Sequence, residues 1–349
     1  MGANLDFIID VNILSDAPPV STADFDIIML MHAGATFAAS LVKTYNSPAE
    51  LDADGELNAA AIAAGKFLFA QTQNPGKLKI CRAGVELDYG LDLAAAYAED
   101  PNFYAVAIDV RTDTEVEDVS TWVQTQGDKL FLAQTADADI LTDTTPNILS
   151  VLAGLSNSRT LLAWHLTDLE EMALSWGAYK LSADPDQKVT SWPHVSLAGV
   201  AIDDLTSTER GNILDNNANC YLNLKGAPEA YGGKTVTGIF VDTLLSGDWL
   251  KARIEEGIAT LLRDVSARNE KVPYTDAGIA QIAAVVRRYL ARGEEIGHFR
   301  PGSSTVTVPL LSTIDPAIVA SRELTISATT ILAGAIDQAV TVNIVVTAS

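Results

Sequence analysis

A mixed α/β (α+β) architecture in two sheet-and-helix domains, with an extended strand arm at each terminus, is what this 349-residue sequence predicts. Three observations predict it. Strand and helix patterns alternate through residues 77–179, the rhythm of a sheet covered by helices. A strand–helix–turn–helix unit occupies residues 234–295. Segments patterned as strands stand near both ends, over 5–13 and 340–347.

At the start, Leu5, Phe7, Ile9, Val11 and Ile13 alternate with Asp6, Ile8, Asp10 and Asn12, and Pro18-Pro19 breaks the run. A strand this early needs a sheet edge to pair with. Residues 25–42 read as strand and loop, and a turn at Asn46-Ser47-Pro48 leads toward a helix over 56–71. After the Pro75-Gly76 turn come a strand at 77–82, a helix at 91–99, a strand at 103–109, a helix at 115–127 and a strand at 129–134. Helices at 145–156 and 168–179 flank a strand at 160–165. Residues 182–196 form a polar loop, 206–217 a helix and 218–224 a strand.

The unit at 234–295 is the most strongly patterned. Residues 234–241 are β-branched and read as a strand, with Asp248 placed to cap the helix that follows. Leu250, Ile254, Ile258, Leu261, Leu262 and Val265 make one apolar stripe at the helical period. Lys271-Val272-Pro273 ends that helix, and Thr275 or Asp276 caps the next. Ile279, Ile282, Ala283, Val286 and Leu290 give the second helix its stripe, while Arg287, Arg288 and Arg292 gather on its polar side. Near the end, residues 324–328 read as a strand, and Val340, Val342, Ile344 and Val346 share one side of the last.

Composition excludes several classes. A hydrophobic share of 48% supports a buried core. The net charge of −22 makes nucleic acid and anionic membrane poor partners. It is uneven: residues 1–150 hold 23 acidic and 7 basic side chains, and residues 151–349 hold 22 and 16. Cys81 and Cys220 have no ligand or redox spacing and read as buried thiols. The opening Met1-Gly2-Ala3-Asn4-Leu5-Asp6 suits neither a signal peptide nor myristoylation. Residues 27–42 are the most membrane-like stretch, but they are short and polar-interrupted, so they read as core.

No reactive constellation emerges. Gly233-Lys234-Thr235 lacks the earlier glycine that a phosphate loop needs at four residues' separation. His165 with Asp168, Glu170 and Glu171 could be drawn as a metal cluster, but acids at a helix start are accounted for by capping. His32, His194 and His298 lie in unrelated segments, and no G-x-S-x-G elbow occurs. The expectation is therefore no catalytic residue, no metal and no cofactor. The five tryptophans read as core.

Gly247-Asp248-Trp249-Leu250 with Arg253-Ile254, followed by Lys271-Val272-Pro273-Tyr274-Thr275-Asp276-Ala277-Gly278-Ile279, resembles the contractile-tail sheath proteins of phages, in a short-chain branch. The resemblance runs along most of the chain and is carried best by residues 234–292 and 328–346. The chain lacks the added outer domains of larger sheath relatives. Val241-Asp242-Thr243-Leu244 also stands where the family usually has a Gly-Ala-Arg-Thr-like turn.

The resemblance implies a virion structural protein, assembled in the host cytoplasm and located in the tail. Its subunits would stack as rings, hexameric in the family, around an inner tail tube protein, between a baseplate and a tail terminator. Contraction would then drive genome delivery. Residues 1–19 and 330–349 would be arms that add strands to neighbouring subunits, the first also packing with the C-terminal domain. Residues 20–220 would be the N-terminal domain and 221–329 the C-terminal core; the grouped Arg287, Arg288 and Arg292 read either as a solvated helix face or as a contact facing the tube. The competing expectation is an α/β enzyme whose pocket residues are not recognisable. Strand-patterned ends and the missing constellation favour the sheath.

Overall fold

A computed structural model describes residues 24–84 and 88–335 of the chain. The strand-patterned arms, including Leu5, Phe7, Ile9, Val11, Val340, Val342, Ile344 and Val346, lie outside the described residues.

The chain opens with β1 (Ile28–His32), β2 (Val42–Tyr45), α1 (Pro48–Ala53), α2 (Ala59–Phe69) and β3 (Leu78–Arg82). Alternation then sets in through α3 (Tyr89–Glu99), β4 (Ala105–Ile108), α4 (Asp113–Gln126), β5 (Leu130–Thr135), α5 (Ala138–Leu141) and α6 (Ile148–Gly154). It continues with β6 (Thr160–Trp164), α7 (Met172–Leu181), α8 (Ser207–Asp215), β7 (Asn219–Leu224) and β8 (Ala227–Tyr231). These eight strands form one sheet in the order β2-β3-β1-β4-β5-β6-β7-β8. The six inner strands are parallel, and β2 and β8 close the edges antiparallel.

Helices cover both faces, so β1, β4, β5 and β6 are buried along their whole length rather than alternating. Leu30, Leu132 and Leu161 face one layer, which holds Trp176 and Trp249. Met29, Phe131 and Leu162 face the other, against Val119 and Leu152. Residues 27–42 supply the buried central strand β1, as expected of core. No helix among the described residues is long and apolar enough to cross a membrane. Cys81 and Cys220 are both buried, and burial pushes the Cys220 thiol up to about 12.

Two expectations about the patterned unit are corrected. Residues 234–240 do not form a strand. They make a tight loop in which Lys234 bridges Phe240, and Gly238 turns the chain at a φ of 86°. Val236 gives its N–H to the Thr160 carbonyl, so the β-branched run ends as a stub beside β6. Nor does Asp248 cap a helix. Helix α9 (Val241–Ala267) begins seven residues earlier, and Val241, Leu244 and Leu245 extend its buried stripe upstream. Ser246-Gly247-Asp248 imitates a cap, but here Ser246 Oγ bonds back to the Asp242 carbonyl within the helix.

The second helix, α10 (Asp276–Ile296), is capped by Thr275, whose hydroxyl accepts the Gly278 N–H. Beyond it lie β9 (Thr305–Thr307), a 3-10 turn at Leu311–Thr313, α11 (Pro316–Ser321) and β10 (Ser327–Thr329). β9 and β10 pair as a separate two-stranded sheet. The eight-stranded sheet itself continues to Tyr231, past residue 220, where the sequence reading ended the first domain.

Candidate functional site

The α9–α10 pair packs beside the sheet domain and presents its other side to solvent. Its inner side is close-packed, and two glycines permit this. Gly257 lies under the Tyr289 ring, and Gly293 against the Phe299 and Trp249 rings. A Cβ at either position would overlap those rings.

A polar clasp fixes the pair to the sheet domain. Asp248 accepts 2.6 and 3.0 Å bonds from the Arg159 guanidinium and a 2.8 Å bond from the Tyr104 hydroxyl. Arg159 precedes β6 and Tyr104 precedes β4, so α9 lies across the amino ends of the parallel strands. The pair is nearly dry, at 10% and 9% side-chain exposure. Further along, Asp186 receives Trp249 Nε1–H at 2.8 Å and Arg253 Nε–H at 2.9 Å. Burial opposes the charge on Asp186, but these donors outweigh it and hold its carboxyl below the usual range.

His298 completes the joint. Its ring stacks on Trp249 at 4.4 Å, with Nδ1 2.8 Å from Ser246 Oγ and Nε2 2.9 Å from the Pro185 carbonyl. A carbonyl only accepts, so Nε2 carries a proton. Burial keeps the imidazole pKa below its ordinary value, and Nδ1 of neutral His298 competes with the Asp242 carbonyl for the single Ser246 hydroxyl proton.

The three arginines are all exposed. Arg288 lies over the Tyr289 ring at 4.7 Å, and Arg292 bonds Glu295 and the Asp186 carbonyl. Around them Ala280, Ala284 and Ala291 are exposed, giving α10 a flat outer face of small side chains and guanidinium groups. The chain from Arg300 to Ala335 contains no buried residue. Its apolar side chains stay wet, among them Leu310 at 61%, Ile318 at 41% and Ile331 at 50% exposure.

His165 has a different role from the one its neighbours suggest. Its Nδ1 lies 3.0 Å from Asp203 and its Nε2 3.2 Å from Glu170. Glu170 does not cap a helix: its second contact is the Ala201 N–H at 2.6 Å. Arg111 reaches into the same loop, donating to the carbonyls of Thr167 and Glu170 and to Asp168. The cluster therefore fastens residues 166–171 to residues 201–203 at the carboxyl end of β6. Asp203 was not foreseeable, lying 38 positions away in sequence. Glu171 is buried beside Arg111, and burial outweighs that cation, raising its carboxyl to about 7. No group of three or more candidate metal ligands occurs among the described residues.

With this geometry, residues 241–317 match the family model described as the C-terminal domain of the E217 tail sheath protein gp31 and its like. No curated protein matches the chain in sequence. Solved structures match its fold. The helical sheath of the anti-feeding prophage in its contracted state aligns with a TM-score of 0.68 at 12% identity, over 98% of each chain. The contracted sheath of the extracellular contractile injection system PVC aligns at 0.63 and 12%, over 96% of each. The sheath tail protein Lin1278 of Listeria innocua aligns at 0.57 and 9%, over 87% of this chain and 94% of that one. The mixed α/β class and the resemblance to sheath proteins are both borne out, and the enzyme alternative finds no support among these relatives.

Proposed function

We propose that this chain is the structural subunit of a contractile tail sheath, polymerising with its own copies around an inner tube and shortening to drive delivery. The observation that carries the reading is the stretch from Arg300 to Ala335, which buries no residue of its own. An isolated two-stranded sheet of three-residue strands is marginal alone, and exposed apolar chain of this length is usual only where a partner covers it.

The terminal arms fit the same reading. Phe25, next to the first described residue Asp24, lies 5.6 Å from the Arg253 guanidinium on α9. Residues 331–333 run beside 298–300, next to the His298–Trp249 stack. The described chain next to each arm runs beside the same joint, which supports arms that exchange with neighbours. Leu5, Phe7, Ile9 and Val11 from one arm, and Val340, Val342, Ile344 and Val346 from the other, would supply the apolar sides of exchanged strands. The flat Ala and Arg face of α10 is our candidate for the tube surface, with Arg287, Arg288 and Arg292 as its weak, repeated contacts. Rings stack as hexamers in this reading and meet a baseplate and terminator at their ends, after assembly in the host cytoplasm. No nucleic acid, membrane or cofactor takes part.

The direct test is electron microscopy of the purified full-length chain, alone and with its tube protein. Tubes or stacked rings are expected. A chain that stays monomeric at every concentration, with and without tube, overturns the proposal.

A further inference from the structure

Helix α7 starts on a carboxyl group that the fold buries without a hydrogen bond. Glu171 stands at its N-cap position, yet its side chain caps nothing and is only 9% exposed. Ser175, one turn further on the same side of the helix, is fully buried, and its hydroxyl has no partner either. Buried polar groups are almost always hydrogen-bonded, so this pair points to a role other than packing.

The surroundings of Glu171 are charged. Asp109 and Arg111 act on it from the end of β4, and His165 from the end of β6. Asp109 is tied in turn to Tyr89 of α3 at 3.1 Å and to His32, at the end of β1, at 3.3 Å. His165 lies between Asp203 and Glu170. Arg111 is the one permanent cation in this set, and its hydrogen bonds go to the neighbouring loop. Its Nη1 donates to the Thr167 carbonyl at 2.7 Å and to Asp168 at 3.0 Å, and its Nη2 to the Glu170 carbonyl at 2.8 Å. Gln134 Nε2 adds a 2.8 Å bond to the Glu170 carbonyl, and Asp203 takes the Leu166 N–H at 3.1 Å.

We propose that residues 166–170 form a proton-controlled strap, held down by Arg111 while Glu171 is protonated and loosened when Glu171 ionises. A neutral carboxyl leaves Arg111 on the strap. An ionised one, buried beside Asp109, needs that cation, because a buried charge without a partner is strongly unfavourable. The guanidinium then turns from the Thr167 and Glu170 carbonyls to the Glu171 carboxylate, and the proton leaves for water. The freed strap carries Leu166 and Leu169, at 68% and 86% exposure. Burial raises the Glu171 carboxyl to about 7, which places the change near neutral pH. His32 is pushed the other way by its burial and touches Asp109 rather than the strap. The switch works within one chain, whether or not chains polymerise.

The test is hydrogen exchange of the full-length, unassembled chain at pH 6 and pH 8, each rate divided by the intrinsic rate at that pH. A carboxyl that titrates at about 7 in the held strap and at its ordinary 4.5 in the loosened one gives about a tenfold loss of protection over 166–170 between these pH values. Peptides from β1 and β5 should keep their protection. Glu171→Gln should hold the strap at both pH values, and Arg111→Gln should leave it unprotected at both. Equal protection at pH 6 and pH 8 in the wild-type chain overturns the switch. A loss that persists in either variant also overturns it, and assigns the titration to His165 and its carboxylates.

Discussion

Single side chains set the strength of the joint between helix pair and sheet. Arg159 and Asp248 are both nearly dry, so removing one leaves the other charged and unpaired. Asp248→Ala is therefore expected to cost about 3–5 kcal/mol in urea unfolding, and Asp248→Ala/Arg159→Met less than the single change. Two buried titratable groups bend the pH profile in opposite senses. Glu171 has its folded pKa raised to about 7 from 4.5, so the folded state holds the extra proton between those values. Stability then falls as pH rises through that window, by up to about 3 kcal/mol. Glu171→Gln should flatten the slope and raise stability at pH 8, read from denaturation midpoints at several pH values. His298 has its pKa lowered, so the folded state resists protonation and stability declines as pH falls below 6.5. His298→Gln should blunt that acid-side decline. An unchanged acid limb would place its cause in another group.

At the scale of elements, the α9–α10 crossing depends on absent side chains. Gly293→Ala pushes a methyl into the Phe299 ring, which is buried and has little room to yield, so a loss of about 1–3 kcal/mol is expected. Gly257→Ala meets the Tyr289 ring, which is only partly buried and can swing outward, and the buried Val285 side chain, which has less room. There the helix-propensity gain of about 1 kcal/mol should offset only part of the strain, for a smaller loss than at Gly293. A thermal melt of the two variants separates these outcomes, and equal losses would mean that Tyr289 is as fixed as Phe299. On the proposed reading the outer face of α10 answers to assembly instead. Each exposed Arg contact is worth ~0–1 kcal/mol, so single changes should be silent. Arg287→Glu/Arg288→Glu/Arg292→Glu should leave the fold intact yet give premature contraction, or sheath without tube, in micrographs. Normal extended tails from this variant would return the arginines to a solvated helix face.

For the whole molecule, the sheet domain is self-sufficient and the C-terminal segment is not. The core layers on both sheet faces close without residues 300–335, apart from partly buried Val306 and Leu332. Removing residues 1–17 or 338–349 should accordingly leave a soluble, folded chain that fails to polymerise. Circular dichroism and sedimentation velocity report the two halves of that expectation. In the proposed assembly each arm alone would contribute little net binding, and many arms engaged together would hold the lattice. Normal tubes from truncated chains would remove strand exchange from the account.

The sequence by itself determined the layered α/β class, the order of nearly every helix and strand from 77 to 224, the burial of four of the five tryptophans, with Trp122 only partly covered, and a helix cap at Thr275 or Asp276, of which Thr275 serves. All of these follow from local periodicity or turn chemistry, which a short window of residues expresses. The sheath wording in 247–279 was legible for the same reason, since it is contiguous. Tertiary structure decided the rest. It turned 234–240 into a loop, because Val236 finds a ladder partner at Thr160 and Gly238 supplies the turn. It carried α9 back to Val241, because Leu244 and Leu245 meet a core that no local pattern announces. It also joined Asp248 to Arg159, and His165 to Asp203, across 89 and 38 positions. Such pairs follow from where the chain crosses itself, and a charge carries no mark in sequence of the distant partner that will neutralise it.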